Sequence, residues 1–185
     1  MPFAIEPRSA VHDREAFDRG EAALSGYLRR YARQDEARGV GRTFVAVPEG
    51  ERRVVGFYTL CAGGVSFSDV PQHLRKRLPR YPIPVALLPR LATCRSVQGQ
   101  GPGEALLFDA LARIVRIVDE LGVVAVEVQA KDDRARGFYL KYGFASLVDD
   151  HRYLCLPLAT VNAALAFAAE VLRADVIDPA PHEAA

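Results

Sequence analysis

The order of strand and helix patterns along the chain predicts a single α/β domain built on a mixed sheet. Three observations carry it. β-Branched and aromatic runs alternate with helical periodicities in the order βα-ββ-α-βαβα-ββ-α, no internal repeat or linker divides the 185 residues, and a glycine-rich turn leads straight into a long apolar-faced helix. Phe3 to Glu6 alternates as a strand. Glu21 to Arg38 places Leu24, Leu28 and Tyr31 at helical spacing among arginines and stops at Gly39, a basic amphipathic helix. Thr43–Val47 and Val54–Leu60, joined by the turn-rich Pro48–Arg53, read as a β-hairpin. Ser68–Leu78, with a capping serine and a proline in its first turn, predicts a short helix.

Val85–Ala92 is a strand interrupted by Pro89, whose missing N–H calls for an edge or a bulge. After the glycines, Leu106, Leu107, Ala110, Leu111, Ile114, Val115 and Val118 form the apolar face of a helix running to Gly122. Val123–Gln129 is an apolar strand, Asp132–Leu140 a short helix closed near Gly143, and Phe144–Leu158 supplies strands around a turn at Asp149-Asp150. An alanine-rich helix over Thr160–Arg173 ends the domain, taken as residues 1–173, and residues 174–185 are expected to form a flexible tail.

Composition narrows the class. Half the residues are hydrophobic and a quarter charged, with mean hydropathy near zero and no apolar run approaching the length of a spanning helix, which excludes a membrane-spanning or disordered chain. A core of this size needs no metal or disulfide staple. The three cysteines, Cys61, Cys94 and Cys155, form no CxxC and sit in apolar stretches, which fits a reducing compartment, so the cytoplasm is expected. The opening residues carry no secretory leader pattern. His12, His73, His151 and His182 have no ligand spacing, so no metal site is expected. Net charge is +1, but residues 1–100 hold 16 Lys/Arg against 10 Asp/Glu and residues 101–185 hold 8 against 13. A basic first half suits an anionic partner, and equally a solvated helix face.

The chemistry lies in Gln98-Gly-Gln-Gly-Pro-Gly103. A strand, a glycine-rich turn and a helix start form a phosphate-binding layout, because backbone N–H groups at a helix N-terminus aim at an anion. The spacing is neither GxGxxG nor a P-loop, which removes dinucleotide and ATP readings. A turn that only connects strand to helix is the plainer alternative. The pattern Gln98-x-x-Gly101-x-Gly103 resembles the Q/R-x-x-G-x-G/A acetyl-CoA loop of the GNAT acetyltransferases, and Arg136-Gly-Phe-Tyr-Leu-Lys-Tyr-Gly-Phe144 resembles their later A-x-x-F-Y-x-x-x-G-F segment.

The resemblance narrows to the GNAT toxins of type II toxin-antitoxin modules, which acetylate aminoacyl-tRNA. It is carried by Phe17–Leu28 with Ala32–Asp35, by Arg42–Val45, by Gly56–Leu60 and by Pro82–Ala92, so it covers about residues 3–158. Pro89 stands where glycine is usual, Thr93-Cys94 where Val-Asp is typical, Pro102 for an aliphatic residue and Gly137 for an alanine. The resemblance implies an α/β (α+β) GNAT fold with a mostly antiparallel sheet splayed at the acetyl-CoA site and flanked by helices. It implies acetyl-CoA binding by Leu91, Ala92, Thr93, Gln98, Gly99, Gln100, Gly101, Pro102, Gly103, Glu104 and Phe138, and no metal.

Direct transfer is implied, with backbone N–H groups at Leu91–Thr93 polarising the carbonyl oxygen and Tyr139 as general acid; a core tyrosine is the plainer reading of Tyr139. The amine of an aminoacyl ester needs no strong base, since an α-amino group has a reference pKa of about 7.7–8.0 and esterification lowers it, whereas lysine at about 10.4 needs one. Glu127 is read as a solvated strand carboxylate, with action through water as the alternative, and Cys94 as a small buried residue rather than a nucleophile. Arg29, Arg33, Arg77, Arg80 and Arg90 are candidate contacts to RNA phosphates.

The expected function is therefore an acetyl-CoA-dependent N-acetyltransferase toxin that caps aminoacyl-tRNA and inhibits translation. Aminoacyl-tRNA, a ribbon-helix-helix antitoxin and a second copy in a homodimer are the expected partners, with no membrane. The alternatives are a GNAT enzyme for a small amine or protein amine, and a non-catalytic CoA-binding module.

Overall fold

The computed structural model describes residues 3–76, 78–118 and 120–166, and in it seven strands form one sheet. They are β1 (Phe3–Pro7), β2 (Arg42–Pro48), β3 (Gly56–Val65), β4 (Ile83–Thr93), β5 (Ala125–Gln129), β6 (Ala145–Ser146) and β7 (Tyr153–Pro157). Their order is β1-β2-β3-β4-β5-β7-β6; β4 and β5 run parallel, and every other neighbouring pair is antiparallel. The sheet is mixed and mostly antiparallel, as the sequence predicts. The helices are α1 (Ala22–Gly26) and α2 (Ala32–Ala37), joined through a π-helical turn at Tyr27–Tyr31, then α3 (Pro102–Ile117), α4 (Asp133–Lys141) and α5 over residues 158–166.

Side-chain alternation along the strands splits the core in two. Ala46 and Tyr58 join Leu106, Leu107, Ala110, Leu111 and Ile114 of α3 on one face, while Val45, Val47 and Phe57 join Tyr27, Leu28 and Ala32 on the other. Each fully buried leucine or isoleucine contributes about 1.5–3 kcal/mol of transfer free energy. A polar strap ties β1, β2 and β3 to α3. The Tyr58 hydroxyl donates to Asp109 at 2.5 Å, Arg113 donates to the same carboxylate at 2.8 Å and to the Ile5 carbonyl at 3.2 Å, and its guanidinium lies 4.2 Å over the Phe44 ring.

Pro89 sits at a bulge in a central strand. Thr59 pairs with Arg90 and Cys61 with Leu87, so Leu88 and Pro89 together oppose Leu60. On its other side the parallel ladder with β5 ends at Leu88↔Val128. Beyond that point β4 continues to Thr93 without β5, and the two strands part.

Three local expectations change. The helix predicted over Ser68–Leu78 is two single turns of 3-10 helix, Phe67–Asp69 and Gln72–Leu74, because Val70 precedes Pro71 and is held extended at φ −69°, ψ 134°. The π-helical turn inserts an extra residue into the first long helix, so the buried stripe passes to Ala32 while Tyr31, predicted on the apolar face, is 53 % exposed. The helix after the glycine loop ends at Ile117 rather than near Gly122. α5 starts at residue 158, two residues early, and the rest of the predicted helix and the tail lie outside the described residues.

Gly137 lies inside α4, and a Cβ built there meets nothing within 4 Å. Gly137→Ala is therefore expected to stabilise the protein by about 0.5–1 kcal/mol, read from the midpoint of urea unfolding. Gly56→Ala is expected to destabilise it, since its Cβ would fall 2.8 Å from Leu106 Cδ1 in a fully packed core.

Candidate active site

Where β4 and β5 part, a cleft of about 390 Å³ opens between β4, the start of α3 and α4. Leu91, Ala92 and Thr93 form the β4 wall, Gln98, Gly99, Gly101, Pro102, Gly103 and Glu104 form the floor and the start of α3, and Phe138 and Tyr139 close the far side. All of the residues predicted to hold the cofactor line this cleft except Gln100, which faces away and donates its side-chain amide to the Ser96 carbonyl at 3.2 Å.

Gly101 is the N-cap of α3 at φ +90°, a conformation that L side chains rarely adopt, and Pro102 occupies the first turn, where its missing N–H costs no helical bond. Gly103 is different. Its φ is not positive and a Cβ there would come no closer to the protein than 3.9 Å, to Thr93 Cγ2, so a side chain would fill the cleft rather than strike the fold. The floor is thus bare backbone at a helix start, the surface on which a pyrophosphate sits.

Cations surround the opening. Arg19, Lys131, Arg134 and Lys141 all line it, and none was a candidate from the sequence. Arg19 arrives from the turn before α1, where its N–H donates to Ser25 Oγ at 3.1 Å and its carbonyl accepts from the Gln98 side chain at 3.5 Å. Its Nε is buried without a hydrogen-bond partner. That orphaned donor, four cations and the bare floor together fit an anionic cofactor such as CoA. Lys131 bridges to Glu21 at 2.5 Å, and Asp132 caps α4 by accepting from the Ala135 N–H at 2.7 Å, a bond that lowers its carboxyl pKa.

Tyr139 is 5 % exposed, its ring 5.3 Å from Phe138 and 5.5 Å from Phe144. Burial alone raises its phenol well above the ordinary range, so the hydroxyl keeps its proton. Cys94 packs with Phe17, Phe57 and Ala92 and does not line the cleft, so it takes no part as a nucleophile there.

On the opposite face of the sheet, Arg90 lies 3.7 Å over the Tyr27 ring, half-buried, while Arg29, Arg33 and Arg80 are exposed and Arg77 lies outside the described residues. Glu127 overturns its prediction as a solvated strand residue, since it is 8 % exposed and desolvation raises its carboxyl pKa. An apolar groove of similar size, between the C-terminal half of α3 and β2–β4, holds no residue of the glycine loop or of the Arg136–Phe144 segment. No group of His, Cys, Asp and Glu among the described residues has the arrangement to hold a metal ion.

The fold and this cleft define an acetyl-CoA-dependent acetyltransferase. The acetyltransferase (GNAT) family model matches residues 9–144, and the chain belongs to that family. It is 40 % identical over 155 residues to the tRNA-acetylating toxin of Mycobacterium tuberculosis (strain ATCC 25618 / H37Rv), covering 84 % of this chain and 92 % of that protein. Among solved structures it resembles AtaT complexed with acetyl-methionyl-tRNAfMet, with TM-score 0.82, 29 % identity, and coverage of 89 % of this chain and 99 % of that one. It also resembles a tyrosine-to-phenylalanine mutant of the AtaT toxin bound to the C-terminus of the antitoxin AtaR and acetyl-CoA, with TM-score 0.76, 28 % identity, and coverage of 88 % and 98 %.

Two substitutions separate chemistry from binding. Tyr139→Phe is expected to lower kcat by about 10²–10⁴-fold while CoA affinity, read by calorimetry, stays within twofold. Gly103→Val is expected to weaken acetyl-CoA binding by roughly tenfold or more with an unchanged unfolding midpoint, because the new side chain occupies the cleft.

Proposed function

We propose that the protein is a toxin that transfers the acetyl group of acetyl-CoA to the α-amino group of aminoacyl-tRNA and so blocks translation. The 40 % identity to a tRNA-acetylating toxin over 84 % of the chain is the observation that carries this reading, and the cleft supplies its chemistry. An antitoxin of ribbon-helix-helix type would neutralise it, and a homodimer in the cytoplasm is the expected working form; likeness to a toxin bound to the C-terminus of its antitoxin supports an antitoxin partner. No helix among the described residues is long and apolar enough to cross a membrane.

When bound, acetyl-CoA supplies the thioester whose acetyl carbon the amine attacks. Gly101 and Gly103 let backbone approach the pyrophosphate, and Arg19, Lys131, Arg134 and Lys141 offset its charge. Backbone of β4 over Leu91–Thr93, unpaired from β5, is free to donate to the carbonyl oxygen as charge develops there. A bond forms between the amine nitrogen and the acetyl carbon, the carbon–sulfur bond breaks, and Tyr139 Oη passes its proton to the departing sulfur. The amine's surplus proton goes to water, and a proton returned from water restores the Tyr139 hydroxyl.

The test is acetyl transfer from labelled acetyl-CoA to a bulk pool of charged tRNA, with deacylated tRNA, free amino acids and small primary amines in parallel. Label confined to charged tRNA is the expected result, and label on small amines with none on charged tRNA would overturn the reading. Because the Tyr139 hydroxyl is held protonated by burial, kcat/KM is expected to rise as the amine loses its proton near pH 7–8 and to stay level through about pH 10, where an ordinary tyrosine would be half ionised. Arg90→Ala is expected to raise KM for charged tRNA and to flatten the dependence of KM on salt, without changing KM for acetyl-CoA.

A further inference from the structure

The groove between the C-terminal half of α3 and β2–β4 has a volume of about 400 Å³ and shares no residue with the catalytic cleft. Phe44, Leu60, Ile114 and Val123 line it, and so do Ile117 and Leu121, which are 46 % and 49 % exposed. Large apolar side chains gathered in water mark a surface that something covers. The charged groups there have one sign. Arg42, Arg113 and Arg116 line the groove, and no carboxylate among the described residues does so. Arg113 is engaged by Asp109, whereas Arg42 and Arg116 are exposed and have no ion pair among the described residues. The matching occupant is apolar and acidic.

The chain itself carries such a segment. Residues 167–178, which follow the described part of α5, include Phe167, Val171, Leu172, Val176 and Ile177, with Glu170, Asp175 and Asp178 against the single base Arg173. Five large apolar side chains in twelve residues are not the composition of a solvated tail. Pro179 and Pro181 then interrupt the pattern.

α5 starts beside the groove. The Leu158 N–H donates to the Val124 carbonyl at 3.0 Å, next to Val123 of the groove wall, and Val161 and Leu165 pack in the same cluster as Ile114 and Val123. The nine helical residues 158–166 carry the chain about 13 Å from that anchor, and the next twelve span up to about 40 Å when extended, so reach does not limit docking. A tethered segment also meets the groove at an effective concentration of about millimolar, which favours it over a free partner of the same chemistry.

We propose that residues 167–178 fold back into this groove, setting Leu172, Val176 and Ile177 on Ile117 and Leu121 and the neighbouring acids beside Arg42 and Arg116. The contact covers the second half of the helix whose first turn is the cofactor floor, and it leaves the cleft itself open. It shortens the tail expected from the sequence to residues 179–185. It holds whatever amine the enzyme acetylates.

Amide hydrogen exchange over residues 167–178 tests this in the full chain at two protein concentrations, with a synthetic peptide of residues 167–185 as the unbound reference. Exchange should be about tenfold slower in the protein than in the peptide, and equally slow at both concentrations. Ile117→Ser, at a half-exposed position, should lower that protection by about fivefold. Arg42→Glu combined with Arg116→Glu should lower it by about fivefold, and adding Asp175→Arg and Asp178→Arg to that chain should restore it. Acetyl-CoA affinity should stay within about twofold in every variant, which shows that the fold and the cleft are intact.

Exchange as fast as in the peptide overturns the proposal and leaves the groove to another protein. Protection that grows with concentration puts a second copy's segment there, and protection that survives both groove variants puts the segment elsewhere on the surface. Each of these overturns the proposal, as does a loss that the reversed aspartates fail to restore.

Discussion

The parting of β4 and β5 is the constraint on which the rest of the molecule depends. A parallel pair would ordinarily stay zipped, since each lost ladder bond leaves a backbone group to be satisfied. Here a two-against-one bulge at Leu88 and Pro89 turns the strand, and Pro89 has no N–H to offer. The strap of Tyr58, Asp109 and Arg113 holds α3 to the first three strands, while α4 follows β5, so the two sides of the cleft belong to differently anchored parts of one sheet.

The split also sorts charge. On the side of the glycine floor the cations Arg19, Lys131, Arg134 and Lys141 outnumber the carboxylates Glu104 and Asp132, a balance suited to phosphates. On the other face, Glu127 is buried on β5 and desolvation raises its carboxyl pKa, an arrangement that costs stability when the carboxyl is ionised. Three short elements of little hydrophobic weight, the 3-10 turns after β3 and the β6–β7 connection, close that side.

What the sequence discloses is what lies close together in it. The glycine loop and the segment ending in Phe138-Tyr139 each hold their chemistry within a few residues, and strand alternation with helical periodicity located the sheet and α3. Arg19 escaped notice because nothing near it in sequence signals a ligand; Ser25 and Gln98, one of them 79 positions away, aim it. Lys131, just before α4, and Arg134, in its first turn, carry no local sequence signal of a ligand either. Glu127 was misread because alternation on β5 predicts a face but not what covers it, and the cover comes from Asp69 and from the β6–β7 connection, both distant in sequence. The helix predicted over Ser68–Leu78 failed at Val70, where the residue before proline outweighed a helical pattern.

The aromatic lining of the cleft makes the protein its own reporter. The chain has no tryptophan, so its near-ultraviolet emission comes from seven tyrosines, and two of them, Tyr139 and Tyr142, line the cleft. A molecule that fills the cleft changes the polarity around both rings. Occupancy is thereby written into the intrinsic fluorescence, free of any larger indole signal, and cofactor binding can be followed without a label attached to either molecule.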